Sequence, residues 1–176
     1  MVHQKEKSRE IGELTCLYEI ARALVASLDL RASLHSTLDI LAKKLGMTRG
    51  TITILNPMAS ELQIEVAHGL TAEARKRGRY KLGEGITGKV VESGQPMVVP
   101  RISEEPLFLN RTRSRGNLAK QDISFICVPI KAAQKTVGAL SVDRLFQTDV
   151  SLDEDLRLLT IISSLIAQTV DRKSVV

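Results

Sequence analysis

The sequence is poor in the residues on which specialised small folds depend. Its 176 residues include no tryptophan, two cysteines, five prolines and 3% aromatic residues. Because Cys16 and Cys127 are far apart in the sequence, they indicate neither a disulfide framework nor a clustered metal site. This cysteine usage suits a reducing compartment. No apolar run approaches the roughly 18 residues of a membrane span, and residues 1–13 are too polar for a signal peptide. We therefore expect a cytoplasmic protein that contacts no membrane.

The overall composition is that of an ordinary globular domain, since 43% of the residues are hydrophobic and 26% are charged. The net charge of +5 is concentrated in residues 70–120, which hold 11 basic and 5 acidic residues. A DNA- or RNA-binding domain would add a groove-entering helix or stacking aromatic residues. Neither pattern is present, so we expect no direct nucleic-acid binding. Capture of a small anion or of an acidic partner surface remains open.

Helical periodicity opens and closes the chain. Apolar residues spaced by three and four predict a long first helix that ends near Leu28. Asp29 is expected to cap a second helix, Leu30 to Leu45, which Gly46 ends. A last helix is predicted from Asp153 to about Arg172, with a broad apolar band that needs more than one packing partner.

The middle of the chain shows strand periodicity instead. Residues 51–55 and 62–68 alternate as a hairpin, in which Leu62, Ile64, Val66 and His68 are expected to share one face. Further strands are predicted at 97–99, 124–130 and 137–143, with short helices at 72–77 and 89–93. This order predicts an α+β fold, an antiparallel sheet of about five to six strands flanked by helices. Residues 101–122 show little periodicity, as is common in functional loops.

Three motifs in this order resemble those of a GAF domain. They are Ala67-His68-Gly69-Leu70, Gly83-Glu84-Gly85-Ile86-Thr87-Gly88 and Gly138-Ala139-Leu140-Ser141-Val142-Asp143. The opening and closing helices extend the resemblance over nearly the whole chain, and narrow it to the amino-terminal GAF domain of NifA-type activators of nitrogen fixation. Such a GAF/PAS-like domain implies long terminal helices, a small-molecule pocket beside the sheet, and control of a following ATPase and DNA-binding region that acts with sigma-54 RNA polymerase.

The resemblance also implies a division of the chain. Residues 1–28 would form a dimerisation helix, residues 29–172 the GAF domain with its signalling helix, and residues 173–176 the start of a linker to an ATPase domain outside this chain. In some relatives the effector is 2-oxoglutarate, so a small anionic metabolite or a regulatory protein is the expected partner. The chain lacks most of the cyclic-nucleotide residues and one of the three cysteines of the sulfoxide-reductase members.

Several sequence features have two possible interpretations, one functional and one purely structural. The glycines of residues 83–88 form either an anion nest or a tight turn, and the turn is favoured. Arg111, Arg113 and Arg115, with Glu105 as their nearest acidic neighbour in sequence, form either an anion clamp or a solvated loop. His68 is expected to be a hydrogen-bonded core residue rather than a ligand. The cysteines are expected to behave as small hydrophobic residues. The sequence shows no set of nucleophile, base and orienting group, so we expect no enzymatic activity.

These readings lead to two hypotheses, a homodimeric sensor of a small anion and a ligand-free module for dimerisation or protein docking. The predicted ligand-binding residues are Ile86, Thr87, Gly88, Val99, Arg111, Arg113, Arg115, Ser124 and Ile126. The predicted dimerisation residues are Ile11, Leu14, Tyr18, Ala21, Val25, Leu159, Ile162, Ile166 and Val170. No metal and no certain cofactor are expected.

Overall fold

A computed structural model describes residues 2–113, 122–148 and 150–174 of the chain. Within these ranges the helices are α1 Val2–Ala26, α2 Leu30–Leu45, α3 Ala72–Arg77, α4 Gly85–Ser93 and α5 Leu152–Ser174, with a 3-10 turn at Ile102–Glu104. The strands are β1 Arg49–Asn56, β2 Glu61–His68, β3 Arg79–Lys81, β4 Met97–Val99, β5 Ile123–Ala132 and β6 Lys135–Leu145. The predicted α+β class is confirmed.

The six strands form one antiparallel sheet in the order β3-β2-β1-β6-β5-β4. The long strands β1, β5 and β6 lie at its centre, where their β-branched and apolar residues are covered on both faces. In the turn between β5 and β6, Ala133 and Gln134 both adopt positive φ, at 48° and 65°. A two-residue connection of this kind matches the twist of the paired strands.

One face of the sheet, called here the helix face, is covered by α2 and α5, and α1 packs against these two helices. Cys16, Ile20 and Leu24 follow one stripe of α1 and join a continuous apolar core that includes Ile126 and Leu140. Both ends of α2 lie where the sequence predicts them. The Asp29 carboxylate accepts hydrogen bonds from the backbone N–H groups of Arg31 and Ala32, and Gly46 ends the helix with φ 66°.

The opposite face, called here the cavity face, is covered by α4 and by residues 102–112. Ile86 and Val90 of α4 pack there with Phe125 and Cys127 of β5 and with Ala139 of β6. This second cluster is smaller than the first and leaves room beside it for polar side chains. The fold therefore places a dense apolar layer on one side of the sheet and a looser layer on the other.

Two elements differ from the sequence prediction. Helix α4 begins at Gly85 rather than Lys89, because packing of Ile86 and Thr87 on the sheet outweighs the low helix propensity of the glycines. Strand β3 was not predicted, since its three residues are recognisable only through their pairing with the edge of β2. Tertiary contacts decide both elements.

A register shift also changes the faces of β2. Ile52 pairs with Val66, but the next residue of β1, Thr53, pairs with Ile64. Val66 consequently joins the core of the helix face, while Leu62 joins the cluster on the cavity face. The prediction that the alternating residues of β2 share one face is therefore wrong, because the bulge inserts an extra residue and reverses the alternation.

Candidate functional site

A cavity of about 40 Å³ lies on the cavity face of the sheet. Its floor comes from β1, β5 and β6, its wall from β2, β3 and α4, and its cover from residues 108–112. The residues that line it are Arg49, Gly50, Thr51, Ile64, Leu70, Tyr80, Ile86, Thr87, Phe108, Leu109, Asn110, Arg111, Thr112, Phe125, Ser141 and Asp143. The mixture of hydroxyl, charged and aromatic groups is typical of small-molecule sites.

The floor of the cavity carries a charge pair on neighbouring strands. Arg49 of β1 is register partner to Asp143 of β6, and its Nη1 lies 3.8 Å from an Asp143 carboxylate oxygen. The Asp143 side chain is almost fully buried. Arg49, whose side chain is 28% exposed, offsets the desolvation cost of the buried Asp143 carboxylate.

The sequence does contain a signal for this floor, although sequence reasoning did not use it. Arg49 and Thr51 alternate on β1, and Ser141 and Asp143 alternate on β6, in strands whose other residues are largely apolar. Polar residues at every second position of adjacent central strands indicate one polar patch on one face.

The contacts that attach the cover to the rest of the domain include four among the described residues. Phe108 stacks edge-to-face on Phe125, with ring centroids 5.2 Å apart. The Leu109 side chain lies so close to Gly85 that a Cβ there would approach it to 2.8 Å. Arg77 Nη2 donates to the backbone carbonyl of Thr112 at 2.8 Å. The fourth attachment is an ion pair between Arg111 and Glu84.

The two cysteine thiols have low reactivity. Ser141 Oγ donates to Cys127 Sγ at 3.2 Å beneath the cavity floor. Burial raises the pKa of the Cys127 thiol to about 12, against the opposing effect of hydrogen bonds from Ser141 and Thr87. Burial, with a contribution from Glu19, raises the pKa of Cys16 to about 11. Since the thiolate is the reactive form, both residues are poor nucleophiles at neutral pH.

Among the predicted ligand-binding residues, Ile86, Thr87 and Arg111 lie together in the cavity lining. Gly88 lies behind it, where a Cβ would come within 2.5 Å of the Lys81 carbonyl, so this glycine serves the close approach of α4. Only residues 83 and 84 of the 83–88 run lie in the turn, since Gly85 already begins α4, and the N–H groups of Gly83 and Gly88 bond to backbone carbonyls. Val99 is buried in the apolar cluster of the same face.

Ser124 and Ile126 are placed elsewhere, which corrects their predicted position. Ser124 Oγ donates to the carbonyl of Pro100 at 2.8 Å, and Ile126 belongs to the core of the helix face. Strand alternation explains both, because the cavity side of β5 is taken by Phe125 and its alternate neighbours. Arg113 is exposed and outside the lining. Arg115 lies outside the described residues.

The arginines and His68 also find partners that sequence spacing does not reveal. Glu84, 27 residues away in sequence, is the acidic partner of Arg111. His68 Nδ1 lies 2.6 Å from Asp39 Oδ1 of α2, so the prediction of a hydrogen-bonded histidine is confirmed. Its side chain is 31% exposed, and it sits at the edge of the core rather than inside it.

The predicted dimerisation residues separate into two groups. Ile11, Leu14, Tyr18 and Val25 are 57–66% exposed, and Ala21 between them is half-buried. In contrast, Leu159, Ile162 and Ile166 are fully buried in the domain's own core, with Val170 packed against it. These α5 residues are therefore corrected to core positions, because α1, α2 and β5 together provide the several partners that their broad apolar band requires.

Comparison with known proteins identifies the fold. Residues 29–170 match the family model described as GAF domain. The chain belongs to the GAF domain family. Over 90% of its length, this GAF domain is 40% identical to nitrogen fixation protein AnfA of Azotobacter vinelandii and 43% identical to the Nif-specific regulatory protein of Herbaspirillum seropedicae. It covers 30% and 29% of those two proteins, so the chain spans under a third of the length of these curated relatives.

Solved structures agree with this assignment. The A. aeolicus nlh2 GAF domain in an inactive state superposes with a TM-score of 0.84 at 27% identity, covering 93% of this chain and 98% of that one. A free methionine-R-sulfoxide reductase from Neisseria meningitidis, in complex with its substrate, has a TM-score of 0.73 at 20% identity, covering 88% and 86%. The second likeness shows a shared fold alone.

Two further kinds of feature are absent from the part of the chain that the structure describes. None of the helices described is long and apolar enough to cross a membrane. Within the same ranges, no group of three or more histidine, cysteine or acidic side chains is arranged to hold a metal ion.

Proposed function

We propose that this GAF domain is the regulatory part of a cytoplasmic NifA-like transcription activator and that it senses a small anionic metabolite such as 2-oxoglutarate. The observation that carries the proposal is the 40–43% identity to AnfA and to a Nif-specific regulatory protein over 90% of the chain. The controlled parts, an ATPase and a DNA-binding region that acts with sigma-54 RNA polymerase, lie outside this chain. The domain itself has no catalytic role and does not contact DNA in this proposal.

The cavity supports a sensing role through its chemistry. Arg111 lies at the cover, where its guanidinium suits a carboxylate. Thr51, Thr87 and Ser141 add hydroxyl groups below it. A volume of about 40 Å³ is well below the roughly 300 Å³ of small-molecule pockets. Binding therefore requires the cover to move, which gives the domain two states that a ligand can shift.

The test is thermal unfolding with a panel of 2-oxoglutarate, glutamine, cyclic nucleotides and an acidic polymer. A ligand at 100 times its Kd adds about 2.7 kcal/mol, or roughly 5–10 °C at this size. We expect one selective shift, from 2-oxoglutarate, that Arg111→Ala abolishes. Arg113→Ala is the matched control, because it removes the same charge from an exposed neighbour outside the lining and should preserve the shift. A shift insensitive to Arg111 contradicts binding in this cavity.

A ligand-free module for dimerisation or docking is the second candidate, favoured by the small size of the cavity. No shift with any compound would support it. Both candidates include a homodimer formed through α1, whose exposed side chains Ile11, Leu14, Tyr18 and Val25 keep the spacing of a coiled-coil seam. From α5, Ile161, 49% exposed, borders the same groove as Leu14 and extends the surface.

The dimer is tested by placing a charge on this seam. Leu14→Asp, at a side chain that is 66% exposed, should weaken dimerisation at least tenfold while leaving the fold intact, because the charge would be buried only between subunits. Met58→Asp makes a similar change on a turn residue that is 95% exposed and should leave the dimer unchanged. Sedimentation velocity over a concentration series measures both. A wild-type protein that remains monomeric at high concentration would refute the dimer.

A further inference from the structure

We infer that Glu84 competes with the effector for Arg111, because its carboxylate occupies the place on the guanidinium that an effector's carboxylate would take. The same ion pair holds the cover over the cavity. This inference rests on the proposed function, in which the effector is a small anion. It adds an autoinhibitory contact and a residue that sets the threshold for binding.

The first support is the position of the pair. Arg111 belongs to the cover and lines the cavity, whereas Glu84 precedes α4, which forms the cavity wall. Their ion pair therefore joins the part that must move to the part that stays. Both side chains are partly exposed, at 39% and 33%, so an anion from solvent can reach the guanidinium without unfolding the domain.

The second support is what holds Glu84 in place. Although Glu84 occupies the N-cap position of α4, its side chain makes no capping hydrogen bond to that helix. Instead Glu84 Oε2 accepts the backbone N–H of Lys81 at 2.8 Å, while Oε1 contacts Arg111. One oxygen anchors the carboxylate to the loop, and the other is directed to the cover. The negative charge is thus not needed for capping.

The third support is the charge on the floor. Asp143 is buried there against Arg49, so an anionic group that entered deeply would face a carboxylate as well as a guanidinium. At the cover, displacement of Glu84 leaves Arg111 with a single unopposed positive charge for the ligand. The effector's anionic group is accordingly assigned to the Arg111 end of the cavity, and its uncharged polar atoms to the hydroxyl groups of Thr51, Thr87 and Ser141.

The variant Glu84→Gln tests whether Glu84 competes with the effector for Arg111 or instead holds the site in shape. Glutamine keeps an oxygen for the Lys81 N–H and keeps the length of the side chain, but it removes the charge that pairs with Arg111. Ion pairs of this exposure are worth little in solvent, so the expected gain is modest. We expect 2-oxoglutarate to bind about two- to fivefold more tightly to Glu84→Gln than to wild type, measured by calorimetry on the purified domain.

Two controls fix the cause. Glu92→Gln removes the same charge from α4, on a side chain that lies against Gly83, and should change the Kd less than 1.5-fold. In an Arg111→Ala background, which we expect not to bind 2-oxoglutarate, Glu84→Gln should not restore binding, because the contested cation is gone. If Glu84→Gln fails to fold, Glu84→Asp replaces it, since the shorter side chain withdraws the carboxylate from Arg111 and should also tighten binding.

The outcomes separate the inference from the proposed function. If wild type binds 2-oxoglutarate and Glu84→Gln binds it equally or more weakly, Glu84 supports the site and the inference is overturned alone. A benefit that persists without Arg111 also overturns it. If neither protein binds any compound of the panel, the proposed sensing function and the inference fall together.

Discussion

The two faces of the sheet differ in what fills them. On the helix face, α2 and α5, with α1 packed against them, cover apolar residues of β1, β2, β5 and β6 in one continuous cluster. On the cavity face, a shorter helix and an irregular segment cover a floor that includes Arg49, Thr51, Ser141 and Asp143. Close apolar packing permits one arrangement of the side chains. A polar lining under a cover held by a few contacts permits more than one. The comparison indicates that stability resides mainly on the helix face, and our proposed function places ligand sensing on the cavity face.

The largest expected effect comes from opening the helix face. Leu140→Ala removes a side chain with no solvent exposure from the centre of β6, and the loss should be about 3 kcal/mol, or roughly 6–12 °C in Tm. Leu109→Ala, on the cover and 44% exposed, should cost less than about 1 kcal/mol. Thermal unfolding measures both. Equal losses would contradict the division between the faces.

An intermediate effect is expected from Gly88→Ala, which tests how tightly α4 must approach the cavity face. A Cβ there would lie 2.5 Å from the Lys81 carbonyl oxygen, so α4 must shift at a cost of about 2 kcal/mol. Hydrogen exchange should then quicken in residues 85–93 before it quickens in α5. Gly12→Ala is the control, since a Cβ on this α1 residue meets nothing within 4 Å, and should raise stability by about 0.5–1 kcal/mol.

The smallest effect concerns Asp155, a buried carboxylate at the start of α5. It contacts Arg144 of β6 and lies 3.6 Å from Arg9 of α1. Burial raises its pKa above the ordinary 3.8, although Arg144 and Arg9 oppose the shift. The folded state therefore binds the proton more tightly than the unfolded state, and this stabilisation is complete below pH 3.8 and lost as the pH rises through the raised pKa.

The measurement is the Tm of wild type and Asp155→Asn between pH 7 and pH 4. Because asparagine does not titrate, the Tm of wild type relative to the variant should increase as the pH falls. A difference that is constant with pH, or that decreases on acidification, would show that the arginines dominate. In that case charges on the helix face would behave like those of an ordinary ion pair.

Much of the fold follows from local patterns. Asp29 and Gly46 bracket α2 as cap and stop, and alternation marks β1, β5 and β6, because these signals depend on neighbours in sequence. The candidate site was predicted only in part. Ile86, Thr87 and Arg111 are in the lining, but Ser124 and Ile126 are not, since one residue of strand phase reverses the face that a side chain occupies.

The amino-acid sequence by itself determined the α+β class, the helix boundaries at α2 and the exposed apolar spacing of α1, because each is set by backbone preference or by periodicity over a few turns. The tertiary structure decided the bulge that divides β2, the burial of Leu159, Ile162 and Ile166 in the domain's own core, and the pairing of Arg111 with Glu84. These join residues that are distant in sequence, and only the packed sheet and helices bring such residues within contact distance.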